Sequence, residues 1–171
     1  MKKSIRNILV FLPLLAIILT ACNDDDSFSA SPFNSLTLGV DTVFMDTVFS
    51  KVPASTRSFW IYNKSGDGIR CSNVRLQNGN QTGFRVNVDG INLGEQTGFQ
   101  TSDIEIRKGD SIRVFVELTS QSTYQTAPKE IGDNLIFTLE SGKQQLVKLN
   151  SWELNSNLLQ AMLISRDSLI D

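Results

Sequence analysis

Cysteine, aspartate and glutamate are the side chains with which this 171-residue chain could do chemistry, because it contains no histidine. Histidine is the side chain whose charge changes near neutral pH, so triads built on a histidine base are excluded, as are histidine metal sites. What remains for acid–base work is carboxylate. Asp103 and Glu105 stand two apart, which puts them on one face of a strand, where a glycosidase pair would need them. Arg107 and a cross-strand Arg113 are expected to balance them as a solvated face instead. Asn87-Val88-Asp89-Gly90 looks like the middle of a calcium loop. With Gly90 at the sixth position, however, Arg85 and Gln96 fall where the first aspartate and the twelfth glutamate are needed, so the match fails. Gly90, Gly94 and Gly98 instead predict a flexible surface loop between strands. No strand-glycine-helix unit offers a phosphate cradle. No catalytic residue, cofactor or metal is expected, and the chain reads as a non-enzyme.

The two cysteines, Cys22 and Cys71, sit in different settings. Before Cys22 comes a basic start (Lys2, Lys3, Arg6), an apolar run from Ile8 to Leu19, then small residues, the order of an export signal. The run has 12 residues, and a membrane-crossing helix needs about 20. Leu19-Thr20-Ala21-Cys22 resembles the lipobox of bacterial lipoproteins. The resemblance implies that Leu19, Thr20 and Ala21 are read by the signal peptidase and that residues 1–21 are removed. It further implies that the Cys22 sulfur receives a diacylglycerol and the new amino terminus a fatty acid such as palmitate. Each buried methylene contributes about 0.8 kcal/mol, so two or more chains hold a protein at the membrane. Residues 22–35, beginning Cys22-Asn23-Asp24-Asp25-Asp26, are too polar to fold and predict a flexible tether. Asp24, Asp25 and Asp26 also resemble the export signal that sends Bacteroidetes-type lipoproteins to the cell surface. The expected place is therefore the outer membrane, lipid-anchored and surface-exposed, with a periplasm-facing anchor as the alternative.

Removing Lys2, Lys3 and Arg6 leaves 13 basic against 18 acidic residues, a net −5 for the mature chain. No basic cluster follows residue 22, so no nucleic-acid partner is expected. From Leu36 to Trp152 apolar residues recur with period 2 between turn residues, the pattern of half-buried strands. Candidates are 36–40, 42–49 (read as one strand with a kink), 58–62, 69–76, 84–88, 103–107, 111–118, 135–139 and 145–152. Lys108-Gly109-Asp110 predicts an antiparallel hairpin between Asp103–Arg107 and Ser111–Leu118, and Glu140-Ser141-Gly142-Lys143 predicts a second. Seven to nine short strands without intervening helices point to an all-β, immunoglobulin-like antiparallel sandwich over 36–152, with a small barrel as runner-up. Cys71 reads as a small buried hydrophobe. Trp60, Phe115 and Trp152 could stack on a sugar or protein ligand, but their expected place is the core or the sheet packing.

Ser58-Phe59-Trp60-Ile61-Tyr62-Asn63, Phe84-Arg85-Val86-Asn87-Val88-Asp89-Gly90 and Ser102-Asp103-Ile104-Glu105-Ile106 resemble the amino-terminal immunoglobulin-like domain of uncharacterised Bacteroidetes lipoproteins. With Asp133-Asn134-Leu135-Ile136-Phe137, the order is also similar to the ASH/Hydin class of such domains. The resemblance implies a β-rich module without catalytic residues, and it assigns no ligand. In residues 153–171, Leu154, Leu158, Leu159, Met162 and Leu163 are spaced for a short amphipathic helix. The function expected is a membrane-anchored, non-catalytic interaction or scaffold module whose partner, protein or glycan, the sequence does not name. The alternative is a glycan- or nutrient-binding accessory of an outer-membrane uptake system.

Overall fold

The computed structural model describes residues 27–121 and 127–154. Cys22, its recognition residues Leu19, Thr20 and Ala21, and Asp24, Asp25 and Asp26 lie outside the described residues, as do Leu158, Leu159, Met162 and Leu163 of the tail. The strands are β1 Thr37–Leu38, β2 Thr42–Phe44, β3 Val48–Phe49, β4 Arg57–Tyr62, β5 Ile69–Leu76, β6 Phe84–Val88, β7 Ile91–Leu93, β8 Gln100–Thr101, β9 Ile104–Ile106, β10 Ser111–Leu118, β11 Lys129–Leu139 and β12 Gln144–Leu154. Two single 3-10 turns, Gly79–Gln81 and Glu95–Thr97, interrupt them.

These strands build two sheets. One has the order β1-β4-β10-β6-β7; the other runs β2-β12-β11-β5-β8, with β3 also on β12 and β9 also on β5. The central strands reproduce the immunoglobulin arrangement of two facing antiparallel sheets, so the chain is an all-β, immunoglobulin-like sandwich. Alternation explains the packing. On β10, Ile112, Val114, Val116 and Leu118 are buried while Arg113 and Phe115 face out, and on β4 Phe59 and Ile61 are buried while Trp60 is not. They meet Val74, Leu135, Phe137, Val147 and Leu149 of the opposite sheet in one core.

Three departures from the sequence-based reading have physical causes. The expected hairpin across Lys108-Gly109-Asp110 does not form, because β9 pairs with β5 in one sheet and β10 with β4 and β6 in the other. The turn is a crossing between layers, and alternation reports which side is buried but not which sheet a strand joins. Asn63 fixes the crossing: its side-chain amide donates to the Ile106 and Asp67 carbonyls at 2.9 and 2.8 Å. Its backbone N–H donates to the Asp110 carbonyl, and its own carbonyl accepts from Gly109.

The second departure is parallel pairing. The first extended segment leaves one sheet after β1, and β2 and β3 then lie parallel to β12, so the larger sheet is mixed rather than wholly antiparallel. The 42–49 segment is accordingly two strands separated by Met45–Thr47. The third lies in the region read as a glycine-rich loop. Asp89 and Gly90 both have positive φ (51° and 87°) and join β6 to β7 as a two-residue hairpin turn. The hairpin over Glu140-Ser141-Gly142-Lys143 forms as expected, joining β11 to β12. β12 continues through Leu154, which is therefore a strand residue and not the start of the tail's apolar stripe.

Candidate functional site

Trp60 and Phe115, expected in the core, are 43% and 37% exposed, and Trp152 is 50% exposed. The correction follows from strand parity: Trp60 stands between buried Phe59 and Ile61, Phe115 between buried Val114 and Val116, and Trp152 between buried Ser151 and Glu153. Trp60 and Phe115 share the outer face of the five-stranded sheet; Trp152 belongs to the other sheet, so the three do not form one row.

On the five-stranded face, Arg113 lies directly opposite Trp60 in the β4–β10 register. Its guanidinium carbon sits 5.4 Å from the Trp60 ring centre and 4.9 Å from that of Phe115, and Nη2 donates to Ser58 Oγ at 3.0 Å. The expected balance of Arg113 against Asp103 and Glu105 is thus absent; Arg113 is on the other sheet and its charge is spread over two ring faces. Tyr62, 38% exposed, extends the aromatic surface with Lys64 5.7 Å from its ring centre. Beside Phe115 a concavity of about 290 Å³ is lined by Arg85, Asn87, Asn92 and Glu117. A larger concavity of about 410 Å³ opens at one end of the sandwich over Phe84 and Phe99, rimmed by Lys51, Glu95 and Thr119.

Asp103 and Glu105 do not make a catalytic pair. Asp103 precedes β9 in a positive-φ conformation (57°) and its Oδ2 accepts from the adjacent Ser102. Glu105 is taken by Arg70, whose Nε and Nη2 donate to its Oε1 at 3.0 and 2.7 Å, while Nη1 reaches Glu140 at 3.4 Å. That hydrogen bond to Glu105, opposed by desolvation and helped by both negative charges, pushes the Arg70 guanidinium above its ordinary range. Arg70 also stands 5.1 Å from the ring centre of Phe28. Cys71 is fully buried, and burial pushes its thiol from the ordinary 9.0 up to about 12. Such a thiol is no nucleophile. Among the described residues no three His, Cys, Asp or Glu side chains are grouped so as to hold a metal ion, and no helix is long and apolar enough to cross a membrane.

Two buried carboxylates escaped the sequence reading. Asp133 accepts from the N–H groups of Asn78 and Asn134 at 3.1 and 2.7 Å and from Thr82 Oγ1 at 2.7 Å, fastening the loop after β5 to β11. Glu153 Oε1 accepts from Ser50 and Ser120 hydroxyls at 2.8 and 2.7 Å. Both lie just beyond the expected strands 135–139 and 145–152, on the observed extensions of β11 and β12, where continuing the strand parity would have pointed them inward.

No protein-family model matches the chain, and no curated protein sequence does. Solved structures similar to it include a Porphyromonas gingivalis W83 protein of unknown function, at 12% identity and a TM-score of 0.48 over 75% of this chain and 50% of that one. Another is the CooA pilin subunit of enterotoxigenic Escherichia coli, at 10% identity and 0.45, covering 73% and 99%. A third is the ASH/PapD-like domain 7 of human CEP192, at 7% and 0.44, covering 76% and 96%. The chain spans about half the length of the Porphyromonas protein.

Proposed function

We propose that this chain is a lipoprotein of the outer membrane, anchored through acylated Cys22 at the cell surface, whose β-sandwich acts as a non-catalytic interaction module. Its binding surface is the outer face of the five-stranded sheet, and the partner is a protein. The observation that carries the binding face is the Trp60–Arg113–Phe115 stack, left open to water on the outer surface of the sheet. Aromatic rings and arginine are the side chains that dominate protein-binding surfaces, because they offer large area at low entropic cost. The leader and the Cys22 motif support the anchor, and the three aspartates support display.

The test has two arms. Palmitate labelling with protease shaving of intact cells reads the anchor and its side; a soluble or unlabelled chain, or one shielded from protease, defeats that part. Pull-down of the anchored protein, wild type against Trp60→Ala/Phe115→Ala, reads the face, and an unchanged set of captured proteins defeats it. A glycan ligand is the second reading, favoured by the exposure of Trp60 and Phe115 on one surface. Glycan-array binding lost in the same double variant would support it. Array binding that survives the substitutions would move the site to the concavity over Phe84 and Phe99.

A further inference from the structure

The stretch expected to be a tether as far as Ser35 is already docked at Ser27. Gly68 N–H donates to the Ser27 carbonyl at 2.8 Å, and Ser29 N–H donates to the Gly68 carbonyl at 3.0 Å. The Phe28 ring lies against Gly68, where an added Cβ would stand 2.8 Å from Phe28 Cδ1, and Arg70 covers the ring. From residue 22 to that dock the sequence runs five residues to Ser27, against fourteen to Leu36. A fully extended chain spans at most about 3.6 Å per residue, so the maximum reach falls from about 50 Å to about 18 Å. With Cys22 acylated as proposed above, that bound keeps this end of the sandwich close to the lipid headgroups.

That end is defined by its turns. Gly68 opens β5, and Glu140, bonded to the Arg70 carbonyl through its N–H, opens the β11–β12 turn. The Arg107–Asp110 crossing is tied to the same end through Asn63. Phe33 projects from it, 92% exposed, on a turn closed by Asn34 N–H to the Ser31 carbonyl and held by Lys143 Nζ on the Asn34 carbonyl. Singly exposed apolar side chains are common. Phe33 is distinguished by standing on the end of shortest reach, with exposed Lys64, Lys108 and Lys143 on the same end. Lysines lay their methylene stems in an interface while the ammonium stays in water. The carboxylates here are Asp67, Asp110, whose Oδ1 accepts from Ser111 N–H, and Glu105 and Glu140, both of which Arg70 holds.

We propose that this end is a membrane-contacting foot: Phe33 enters the headgroup–acyl boundary beside Lys64, Lys108 and Lys143, and fixes the sandwich upright on the bilayer. The inference rests on the Cys22 anchor proposed above. Its test uses full-length acylated protein carrying Phe33→Cys or, at the opposite end, Glu95→Cys, each labelled with an environment-sensitive fluorophore and reconstituted in phosphatidylcholine vesicles with or without spin-labelled lipid. Buried Cys71 and acylated Cys22 leave the introduced thiol as the reactive one. A blue-shifted emission at position 33, quenched several-fold more by the spin-labelled lipid than at position 95, is the expected result. Equal, water-like emission at both positions in protein that floats with the vesicles overturns the foot and spares the anchor. Protein that fails to float, with an unmodified Cys22 by mass spectrometry, overturns the anchor and the foot with it.

Discussion

Burial keeps the Cys71 thiol protonated far into the alkaline range, and this gives a reactivity and a stability signature. In native protein the thiol should resist a soluble alkylating reagent at pH 8 and react readily in urea. Because the folded state holds a proton that the unfolded chain releases above about 9, the contribution is intact below pH 9 and is lost as pH rises toward 12. A Cys71→Val variant, unfolded by urea across that range, should show a shallower fall than wild type; equal slopes would refute the assignment. Asp133 makes a different case. Replacing it with alanine strands the Asn78 N–H and the Thr82 hydroxyl, each losing its carboxylate. Both groups are partly open to water, so a stability loss of about 1–2 kcal/mol, read as a lower urea midpoint at unchanged slope, is expected, whereas Trp60→Ala, which gives up the Arg113 stack, should cost about 0.5–1 kcal/mol.

Among the elements, the β6–β7 hairpin turns on Asp89 and Gly90, both in left-handed backbone. Holding a residue with a Cβ in that region costs about 1–2 kcal/mol, so Gly90→Val should destabilise by that order or more in thermal unfolding. An unchanged melting temperature would mean the turn is not rigid. Where the sequence was legible, period 2 was the reason: the expected 69–76 and 84–88 strands have the bounds observed for β5 and β6. The Asp89-Gly90 turn is missed because Asn87-Val88-Asp89-Gly90 is tested as a calcium loop and its glycines are then read as a flexible loop, where Asp89 and Gly90 are themselves the turn of a hairpin. The Lys108–Asp110 crossing was illegible for a stronger reason. Buried Ile104 and Ile106 look the same whether their strand joins β10 or β5, and the contact that decides it, Asn63 on the Ile106 carbonyl, spans 43 residues. The proposed binding face was half legible, since parity put Phe115 outward while its aromatic character argued for the core.

For the whole molecule, Phe137 is fully buried on β11, the strand between β12 and β5 in the larger sheet. Phe137→Ala should cost about 3–5 kcal/mol and loosen both sheets in a single cooperative transition, read by denaturation with near-ultraviolet circular dichroism. Two separate transitions would show that the layers fold independently. The sheet margins have a different consequence. Among the described residues every outermost strand, β1, β7, β2, β3, β8 and β9, is two or three residues long, while the long strands β5, β10, β11 and β12 are interior. Unpaired strand rims are where copies of a β-protein zip together. An anchor of the proposed kind would gather copies in two dimensions at high local density, where such clipped rims oppose polymerisation into fibres.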